Sequence, residues 1–460
     1  MDNKEEKLAL LGGNKTIARQ FKKYNSIGEE ESQAVKEVIE SGVLSKYLGS
    51  WGEDFFGGPK VKEFEENCRD YFKVKHAITV NSWTSGLITA VGALDIEPGD
   101  EVIVPTWTMC ATATAILHWN GIPVFADIDR KTYCISPESI EKNISPYTKA
   151  IISVDIFGHP ANTKAINSIA KKYNLKVISD TAQSPGAIND SKFAGTLTDI
   201  GGYSLNYHKH IHTGEGGILV TNDDVLAERM YLIRNHAEAC VEAANIEKIN
   251  NMIGHNFRLG EIECAIGIEQ LKKLNFLLET RRIAAHKLSK YLSKLKGLNT
   301  PFIMEGCTHS YYVFPMTLEI EILGVSRQRI YDALNAEGVQ GLSNQYVNIH
   351  LLPLYQKKIA YGSSGFPWNS EICKRSINYK KGICPIAEEL QDKTFMGLQM
   401  CLFELSDLDI DLIIKSFYKE TSKYYKREIS KYDKGEISNP RKPCELEPEP
   451  SCTQSGTKSS

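Results

Sequence analysis

Between residues 60 and 225 the chain alternates segments of helical periodicity with short apolar runs that are rich in β-branched residues. Apolar residues at helical spacing predict helices, and short apolar runs between turn residues predict buried strands. The predicted helices are 61–72, 85–93, 110–120, 137–143 and 161–173. The predicted strands are 101–105, 123–127, 149–155, 176–180, 202–205 and 217–221. This alternation predicts an α/β domain with a mostly parallel central sheet.

The pattern changes after residue 261. Apolar residues at helical spacing between 264 and 296 predict either two connector helices or one bent helix. Shorter segments after Gly297, at 311–318, 326–337, 387–398 and 408–424, predict a smaller α+β domain. Residues 435–460 are almost free of apolar side chains, so they predict a disordered tail. We therefore divide the chain into 1–265 (N-terminal segment and large domain), 266–434 (connector and small domain) and 435–460.

Composition narrows the classes of partner. The 54 Lys and Arg against 57 Asp and Glu give a formal charge of −3, which argues against nucleic acid as a partner. No apolar run reaches the roughly 18–20 residues that span a bilayer, and residues 8–11 are too short a run for a signal peptide. Eleven scattered cysteines without CxxC pairs favour reduced thiols. We therefore expect a cytoplasmic protein that does not insert into membranes.

The segment 204–217, SLNYHKHIHTGEGG, carries the most distinctive candidate chemistry. The predicted strand 202–205 runs into Lys209, which lies among polar residues and is followed by a glycine-rich turn. An amine sheltered from water near other cationic groups has a lowered pKa and can form a Schiff base. A lysine near a strand end is more often a surface charge, so this interpretation depends on the other motifs.

Two further motifs complement the lysine. Asp180 ends an apolar strand, where its carboxylate can pair with a protonated ring nitrogen, although an acid there can also cap a helix. Thr84 and Ser85 stand at a predicted helix start, where backbone N–H groups and the helix dipole favour a phosphate, although hydroxyls also begin helices as caps. An imine-forming lysine, a partner for a pyridinium and a phosphate cradle are together what pyridoxal phosphate requires.

The ordered set of motifs resembles the sugar aminotransferases of the DegT/DnrJ/EryC1/StrS family over about residues 8–417. The motifs are NSWTSGL at 81–87, D-x-x-Q at 180–183, S-x4-K at 204–209, TGEGG at 213–217 and GHNFRL at 254–259. The resemblance implies the type I, aspartate aminotransferase-like fold of pyridoxal-phosphate-dependent transferases and a homodimer with shared active sites. It also implies amino transfer from L-glutamate or L-glutamine to a keto-sugar, with a nucleotide-linked keto-deoxyhexose as the expected acceptor and a keto-cyclitol as the alternative.

The resemblance also assigns roles by position. Lys209 is expected to bind pyridoxal 5'-phosphate as a Schiff base and to act as general acid and base, with pyridoxamine 5'-phosphate as the second form of the cofactor. Asp180 is expected to pair with the ring nitrogen and Gln183 to contact the side of the ring that carries the hydroxyl group. The expected phosphate contacts are Thr84, Ser85, Ser204 and Asn256 of the partner subunit.

Some positions depart from the family pattern. Met109 stands where many relatives carry an aromatic ring over the cofactor, and Trp107, two residues earlier, is the other candidate for that position. One branch of the family has histidine in place of the lysine and removes a hydroxyl group from the sugar; Lys209 disfavours that reaction here. The candidate substrate contacts are Trp107, Asn206, His208, His210 and Arg258.

Two interpretations of other classes remain. His208, His210 and His212 have the spacing that would put three imidazoles on one face of a strand, where they could bind a metal. No Asp, Glu or Cys elsewhere has recognisable ligand spacing, so we expect no metal. The second alternative is a non-catalytic protein that binds the cofactor as a sensor or scaffold, which the presence of both Lys209 and Asp180 disfavours.

Overall fold

The structure is a computed structural model that describes residues 7–421. The predicted tail at 435–460, and residues 422–434 of the predicted small domain, lie outside the described residues. The large domain is built on a seven-stranded sheet. Its strands are β1 (His76–Val80), β2 (Glu101–Pro105), β3 (Ile122–Ala126), β4 (Thr148–Val154), β5 (Lys176–Asp180), β6 (Ile200–Ser204) and β7 (Gly217–Thr221).

The strand order is β1–β7–β6–β5–β4–β2–β3. Neighbouring strands from β6 to β3 are parallel, while β7 is antiparallel to both β6 and β1. The predicted mostly parallel sheet is therefore confirmed, with one reversed strand. Because ligands of open α/β sheets bind outside the carboxyl ends of the strands, this topology directs attention to the residues that follow β1, β2, β5 and β6.

Helices occupy most of the chain between these strands. In chain order they are α1 (Glu29–Ser41), α2 (Pro59–Phe72), α3 (Trp83–Ala93), α4 (Ala111–His118), α5 (Pro137–Asn143), α6 (Thr163–Tyr173) and α7 (Asp224–Arg234). The apolar runs of the sheet are buried on both faces, as in a sheet that helices cover. The buried Arg234 of α7 donates to Glu65 of α2 at 2.7 Å, which ties two of these helices together.

The connector is one continuous helix. Helix α8 (Glu261–Leu292) runs for 32 residues without a break, which decides between the two alternatives that the sequence left open. Its first half packs on α2, where Gly267 lets the ring of Phe64 approach the helix backbone. Its second half contributes Ala285, Leu288 and Leu292 to the core of the small domain.

The small domain contains a four-stranded antiparallel sheet in the order β8–β9–β11–β10. Its strands are β8 (Leu298–Asn299), β9 (Val313–Leu318), β10 (Leu342–Ser343) and β11 (Phe395–Gln399), and its longer helices are α9 (Arg327–Ala336) and α10 (Asp407–Thr421). Its short helical segments are Ile320–Leu323, Ile349–Leu351, Pro353–Lys357, Pro385–Glu389 and Leu390–Thr394. The predicted segment 387–398 thus contains the end of one short helix, a π-helical turn and most of a strand.

The N-terminal segment packs differently from the division proposed from the sequence, which grouped it with the large domain. Leu8, Leu11, Ile17 and Phe21 belong to the same apolar cluster as α9 and α10. The buried carboxylate of Glu337 accepts hydrogen bonds from the N-terminal segment and so fastens it there. The segment packs on the small domain because its apolar side chains are buried there against α9 and α10. The local sequence pattern does not indicate this packing partner.

The described residues include no helix that combines the length and the apolar character needed to span a bilayer.

Candidate functional site

A cavity of about 160 Å³ opens at the carboxyl edge of the central sheet. Asp180 at the end of β5, Ser204 at the end of β6 and Thr84 in the first turn of α3 line it. Eight of the thirteen predicted site residues meet in this cavity. They are Thr84, Met109, Asp180, Gln183, Ser204, Asn206, His208 and Lys209. A larger cavity of about 630 Å³, between the N-terminal segment, α8 and α10, contains none of the thirteen.

Lys209 lies in the turn that follows β6. Its backbone N–H donates to the carbonyl of Asn206 at 2.9 Å. At the end of the turn, the carbonyl of Gly216 accepts a hydrogen bond from the backbone N–H of Leu205. The side chain is 7% exposed, and its ammonium group lies 4.4 Å from the centre of the Tyr312 ring. Burial lowers the pKa of Lys209 to about 8, while the nearby Asp180 acts in the opposite direction. An amine with this pKa is partly neutral near physiological pH, which a nucleophile requires.

Asp180 is buried at the end of β5 and also lines the cavity. Its Oδ1 accepts from the indole N–H of Trp83 at 2.7 Å, and its Oδ2 accepts from the hydroxyl of Thr112 at 2.8 Å. Burial raises the pKa of Asp180, and the hydrogen bonds from Thr112, Trp83 and Ala182 act in the opposite direction. The predicted alternative, a helix cap, does not apply, since no helix of the described residues begins immediately after Asp180.

The start of α3 forms the end of the cavity that has the features of an anion-binding site. Ser82 caps this helix by accepting from the backbone N–H of Ser85 at 3.1 Å. Thr84 lines the cavity and is exposed, whereas the Ser85 hydroxyl is buried and donates to Asn81 at 2.7 Å. The structure therefore offers the Thr84 side chain and the helix N-terminus to an anion, and uses the Ser85 hydroxyl to fix the preceding loop.

Gln183 has both ends of its amide fixed. Its Oε1 accepts from the backbone N–H of Phe157 at 2.8 Å, and its Nε2 donates to the hydroxyl of Tyr346 at 3.2 Å. Burial raises the pKa of Tyr346 to about 12, so its hydroxyl stays protonated. Gln183 thus faces the cavity in one orientation, with a tyrosine of the small domain behind it.

The question of which residue covers the cavity is decided by burial. Strand β2 ends at Pro105, so Trp107 and Met109 lie in the loop that follows and do not share a strand face. Trp107 is fully buried and donates to Asn348 at 2.8 Å, whereas Met109 is 58% exposed and lines the cavity. Met109 therefore has the position over the cavity, and Trp107 packs behind it in the core.

The three histidines do not share a strand face, because strand β6 ends at Ser204 and residues 208–212 lie in the turn that follows. His208 lines the cavity, and burial together with Lys209 lowers its pKa to about 4. His210 is fully buried, outside the cavity, with Nε2 against the carbonyl of Ser310 at 2.9 Å. Within residues 7–421, no three His, Cys, Asp or Glu side chains come together as a potential metal site.

Two predicted residues lie outside the cavity on the segment that precedes α8. The side-chain oxygen of Asn256 accepts from Arg258 Nε at 2.7 Å, and the Arg258 guanidinium lies 5.8 Å from the centre of the Tyr47 ring. Asn256 is exposed. Within one chain these two residues therefore do not contact the cavity.

Sequence reasoning missed four residues that shape the site: Trp83, Thr112, Tyr312 and Tyr346. Trp83 was visible in the motif NSWTSGL, but the pattern gives no indication that its indole N–H reaches Asp180. Thr112, Tyr312 and Tyr346 come from α4 and from the small domain, and each meets its partner only after folding.

The residues present fit pyridoxal phosphate. Asp180 is a buried carboxylate whose protein donors are neutral, which suits a protonated ring nitrogen. Among the hydrogen bonds of residues 7–421, none involves the Lys209 amine, so it is available to an aldehyde carbon. Thr84 and the N-terminus of α3 suit a phosphate.

Comparison with known proteins gives a consistent result. A model of the DegT/DnrJ/EryC1/StrS aminotransferase family matches residues 25–394. The spore coat polysaccharide biosynthesis protein SpsC of Bacillus subtilis is 32% identical over 358 residues, which are 76% of this chain and 89% of that protein. The GDP-perosamine synthase of Vibrio cholerae is 29% identical over 363 residues, which are 78% of this chain and 93% of that protein.

The fold also matches solved structures. The Helicobacter pylori aminotransferase PseC, which is involved in the biosynthesis of pseudoaminic acid, is similar with a TM-score of 0.70 at 27% sequence identity. That match covers 88% of this chain and 99% of the other.

Proposed function

This chain belongs to the DegT/DnrJ/EryC1/StrS aminotransferase family and is a pyridoxal-phosphate-dependent aminotransferase, and from that premise we propose its substrates. We propose that it moves the amino group of L-glutamate, or L-glutamine, to a nucleotide-linked keto-deoxyhexose and so forms an amino sugar. The main support for this proposal is that Lys209, Asp180 and Thr84 line one cavity in a chain of this family.

The names of the relatives support the acceptor class. Two of them are a GDP-perosamine synthase and an aminotransferase of pseudoaminic acid biosynthesis. Polar side chains at the cavity, Asn206, His208 and Glu215, suit the hydroxyl groups of a sugar, since hydroxyls need hydrogen-bond partners in a binding site.

Lys209 is the proposed catalytic residue. When bound, the cofactor supplies an electron sink for the bond that breaks at the α-carbon of the amino donor. Lys209 holds the cofactor and, once its amine is free, moves a proton between that α-carbon and the C4′ carbon of the cofactor. Its lowered pKa, about 8, suits a group that must both accept and donate a proton.

The other cavity residues bind and orient. Asp180 would keep the ring nitrogen of the bound cofactor protonated, Gln183 would contact the hydroxyl side of the ring, and Met109 would cover its face. Thr84, Ser204 and the N-terminus of α3 would hold the phosphate. Ser85 supports the same loop through Asn81.

We further propose a homodimer in the cytoplasm. Asn256 is exposed and does not line the cavity of its own chain, which suits a contact with the cofactor phosphate of the partner subunit. The nine cysteines of residues 7–421 are free thiols, which suits a reducing compartment.

The substrates are tested with the purified, cofactor-loaded protein. L-Glutamate should remove the visible absorption of the bound cofactor and release 2-oxoglutarate. The absorption should return with the correct acceptor from a panel of nucleotide-linked keto-sugars and keto-cyclitols. Recovery with a keto-cyclitol alone would replace the proposed acceptor, and indifference to every amino donor would favour the sensor alternative.

Lys209→Ala is the decisive variant. It should abolish turnover and leave the circular dichroism spectrum unchanged, since the side chain makes no hydrogen bond within residues 7–421 that the fold depends on. Lys192→Ala, at an exposed lysine on the same domain, is the matched control and should keep full activity. Transamination by the Lys209 variant would contradict the assignment.

A further inference from the structure

The side chain of Trp83 makes a contact that the proposed mechanism does not yet use. We propose that Trp83 is a positioning residue: its indole N–H holds Oδ1 of Asp180, so that Oδ2 stays directed at the ring nitrogen of the cofactor. The Nε1–Oδ1 distance is 2.7 Å, and both side chains are buried. The inference rests on the proposed role of Asp180 and does not depend on the identity of the amino donor or the acceptor.

The hydrogen bonds of Asp180 show which acceptor position stays open. A carboxylate offers about four lone-pair positions. Oδ1 accepts from Trp83 and, at 3.3 Å, from the backbone N–H of Ala182. Within residues 7–421, Oδ2 accepts from the Thr112 hydroxyl alone, at 2.8 Å. One position on Oδ2 therefore remains for a further donor, and a protonated ring nitrogen is the strongest donor that fits it.

The surrounding backbone is shaped to receive the indole ring. A Cβ at Gly202, in the middle of β6, would lie 2.1 Å from Cη2 and Cζ3 of Trp83. A Cβ at Gly86 would lie 2.6 Å from Cε3 of the same ring. Glycine inside a strand or helix costs about 0.5–1 kcal/mol relative to alanine. Both glycines lie against the Trp83 ring, and the N–H of this ring donates to the carboxylate of Asp180.

Charge explains what the contact does. The N–H donor stabilises the ionised carboxylate, so it lowers the pKa of Asp180 against the effect of burial. Lys209 is a cation that acts on Asp180, and Asp155, the residue after β4, is an acid close enough to interact with Asp180. Without the indole N–H, more of the Asp180 carboxyl is protonated at a given pH and cannot pair with a pyridinium.

The test measures cofactor affinity of the apoenzyme rather than turnover. Trp83→Phe should weaken binding of pyridoxal phosphate by about tenfold, the equivalent of one hydrogen bond to a charged group. In a plot of cofactor affinity against pH, the loss of affinity on the acid side should occur at higher pH than in the wild type. Trp119→Phe is the matched control, because Trp119 is as buried as Trp83 and donates to the carbonyl of Ile88 at 2.8 Å, away from the site. Its affinity and pH profile should equal those of the wild type.

A double-mutant cycle separates positioning from packing. In an Asp180→Ala background, Trp83→Phe should cause no further loss of affinity, because the group through which it acts is gone. A tenfold loss in both backgrounds would show that Trp83 only packs, and would overturn the inference. If Asp180→Ala alone leaves the affinity unchanged, the proposed role of Asp180 is wrong and the inference with it.

A second replacement covers the case in which Trp83→Phe does not fold. Benzothienylalanine at position 83 keeps the shape of the indole and has sulfur where the N–H was. It should fold, and it should reproduce both the weaker binding and the shift of the acid-side loss of affinity to higher pH. Wild-type cofactor affinity in the variant with benzothienylalanine at position 83 would also overturn the inference.

Discussion

At the scale of single residues, burial controls the chemistry of the site. Lys209 and Asp180 are both buried, and burial disfavours the charge of each: it lowers the pKa of the amine and raises that of the carboxyl. Their mutual attraction opposes both shifts. The same burial that lowers the pKa of Lys209 therefore requires neutral donors, Trp83 and Thr112, to keep Asp180 ionised.

The first prediction concerns the pH dependence of cofactor binding. Since the neutral amine attacks the aldehyde, association of pyridoxal phosphate with the apoenzyme should speed up as pH rises through about 8. The charge of Asp180 raises the pKa of Lys209, so Asp180→Asn should move this midpoint to lower pH. Stopped-flow absorbance across a pH series measures both. Asp199→Asn, at an acid that pairs with Lys176 far from the site, should not move it.

A midpoint near 10.4, the value of an ordinary lysine, would mean that Lys209 is hydrated in the apoenzyme.

At the scale of elements, close packing sets the position of α8 against α2. Gly267 of α8 faces the fully buried ring of Phe64, and a Cβ at Gly267 would lie 2.6 Å from Cζ of that ring. The long helix carries the chain from the segment of Asn256 to the small domain, whose Tyr312 and Tyr346 reach the site. Its contact with α2 therefore bears on both the fold and the site.

The second prediction follows from this contact. Gly267→Ala gains about 1 kcal/mol of helix propensity, but overpacking a buried site costs about 1–3 kcal/mol. The free energy of unfolding should therefore fall by up to about 2 kcal/mol, measured by urea denaturation. Ile283→Ala, at a position of the same helix that is 61% exposed, is the control and should change it by no more than about 0.5 kcal/mol. A stabilised Gly267 variant would contradict the packing argument.

At the scale of the whole molecule, the two ends of the described chain meet. Glu337 accepts from the backbone N–H groups of Ala9 and Thr16, and it also pairs with Lys419 of α10 at 2.9 Å. The N-terminal segment continues to Tyr24, whose hydroxyl donates to the carbonyl of His210 next to Lys209. One buried carboxylate thus helps to connect the small domain with the loop that carries Lys209.

The third prediction tests this connection. Glu337→Ala leaves the N–H groups of Ala9 and Thr16 without their acceptor and Lys419 without its carboxylate partner, and breaking a buried ion pair costs about 3–5 kcal/mol. The unfolding free energy should fall by that order, and trypsin should cut faster at Lys15 and Arg19. Glu321→Ala, at an exposed acid of the same domain, should change neither. Unchanged proteolysis of the Glu337 variant would show that the apolar contacts alone hold the segment.

The fourth prediction tests the proposed sharing of active sites between subunits. Lys209→Ala and Asn256→Ala should each reduce activity, but mixed dimers contain one site with both residues intact. Subunit exchange between the two variants should therefore restore part of the activity. Exchange of Lys209→Ala with Arg258→Ala serves as the comparison for a residue of the same segment. No recovery from the Lys209 and Asn256 pair would contradict the sharing.

Local sequence patterns were enough to predict the central sheet, the long helical region, and the positions of Asp180 at the end of one strand and of Lys209 after another. Each of these depends on a short stretch of chain: apolar runs between turns for the strands, and a lysine between a strand and a glycine-rich turn. Strands that are buried on both faces are nearly continuous apolar runs, so they can be recognised in the sequence without knowing which segments cover them. The same is true of the helix start at Thr84, which is a local backbone property.

Only the tertiary structure decided which residues complete the site and where the N-terminal segment packs. Trp83 and Asp180 are 97 positions apart, and Gln183 and Tyr346 are 163 apart, so no local periodicity connects them. The end of β6 at Ser204 places the three histidines in a turn and not on one strand face, and Trp107 is buried whereas Met109 is exposed. The physical reason is common to these cases: a hydrogen bond or an apolar contact between distant segments depends on packing in three dimensions, whereas the chain order records only what is near along the backbone.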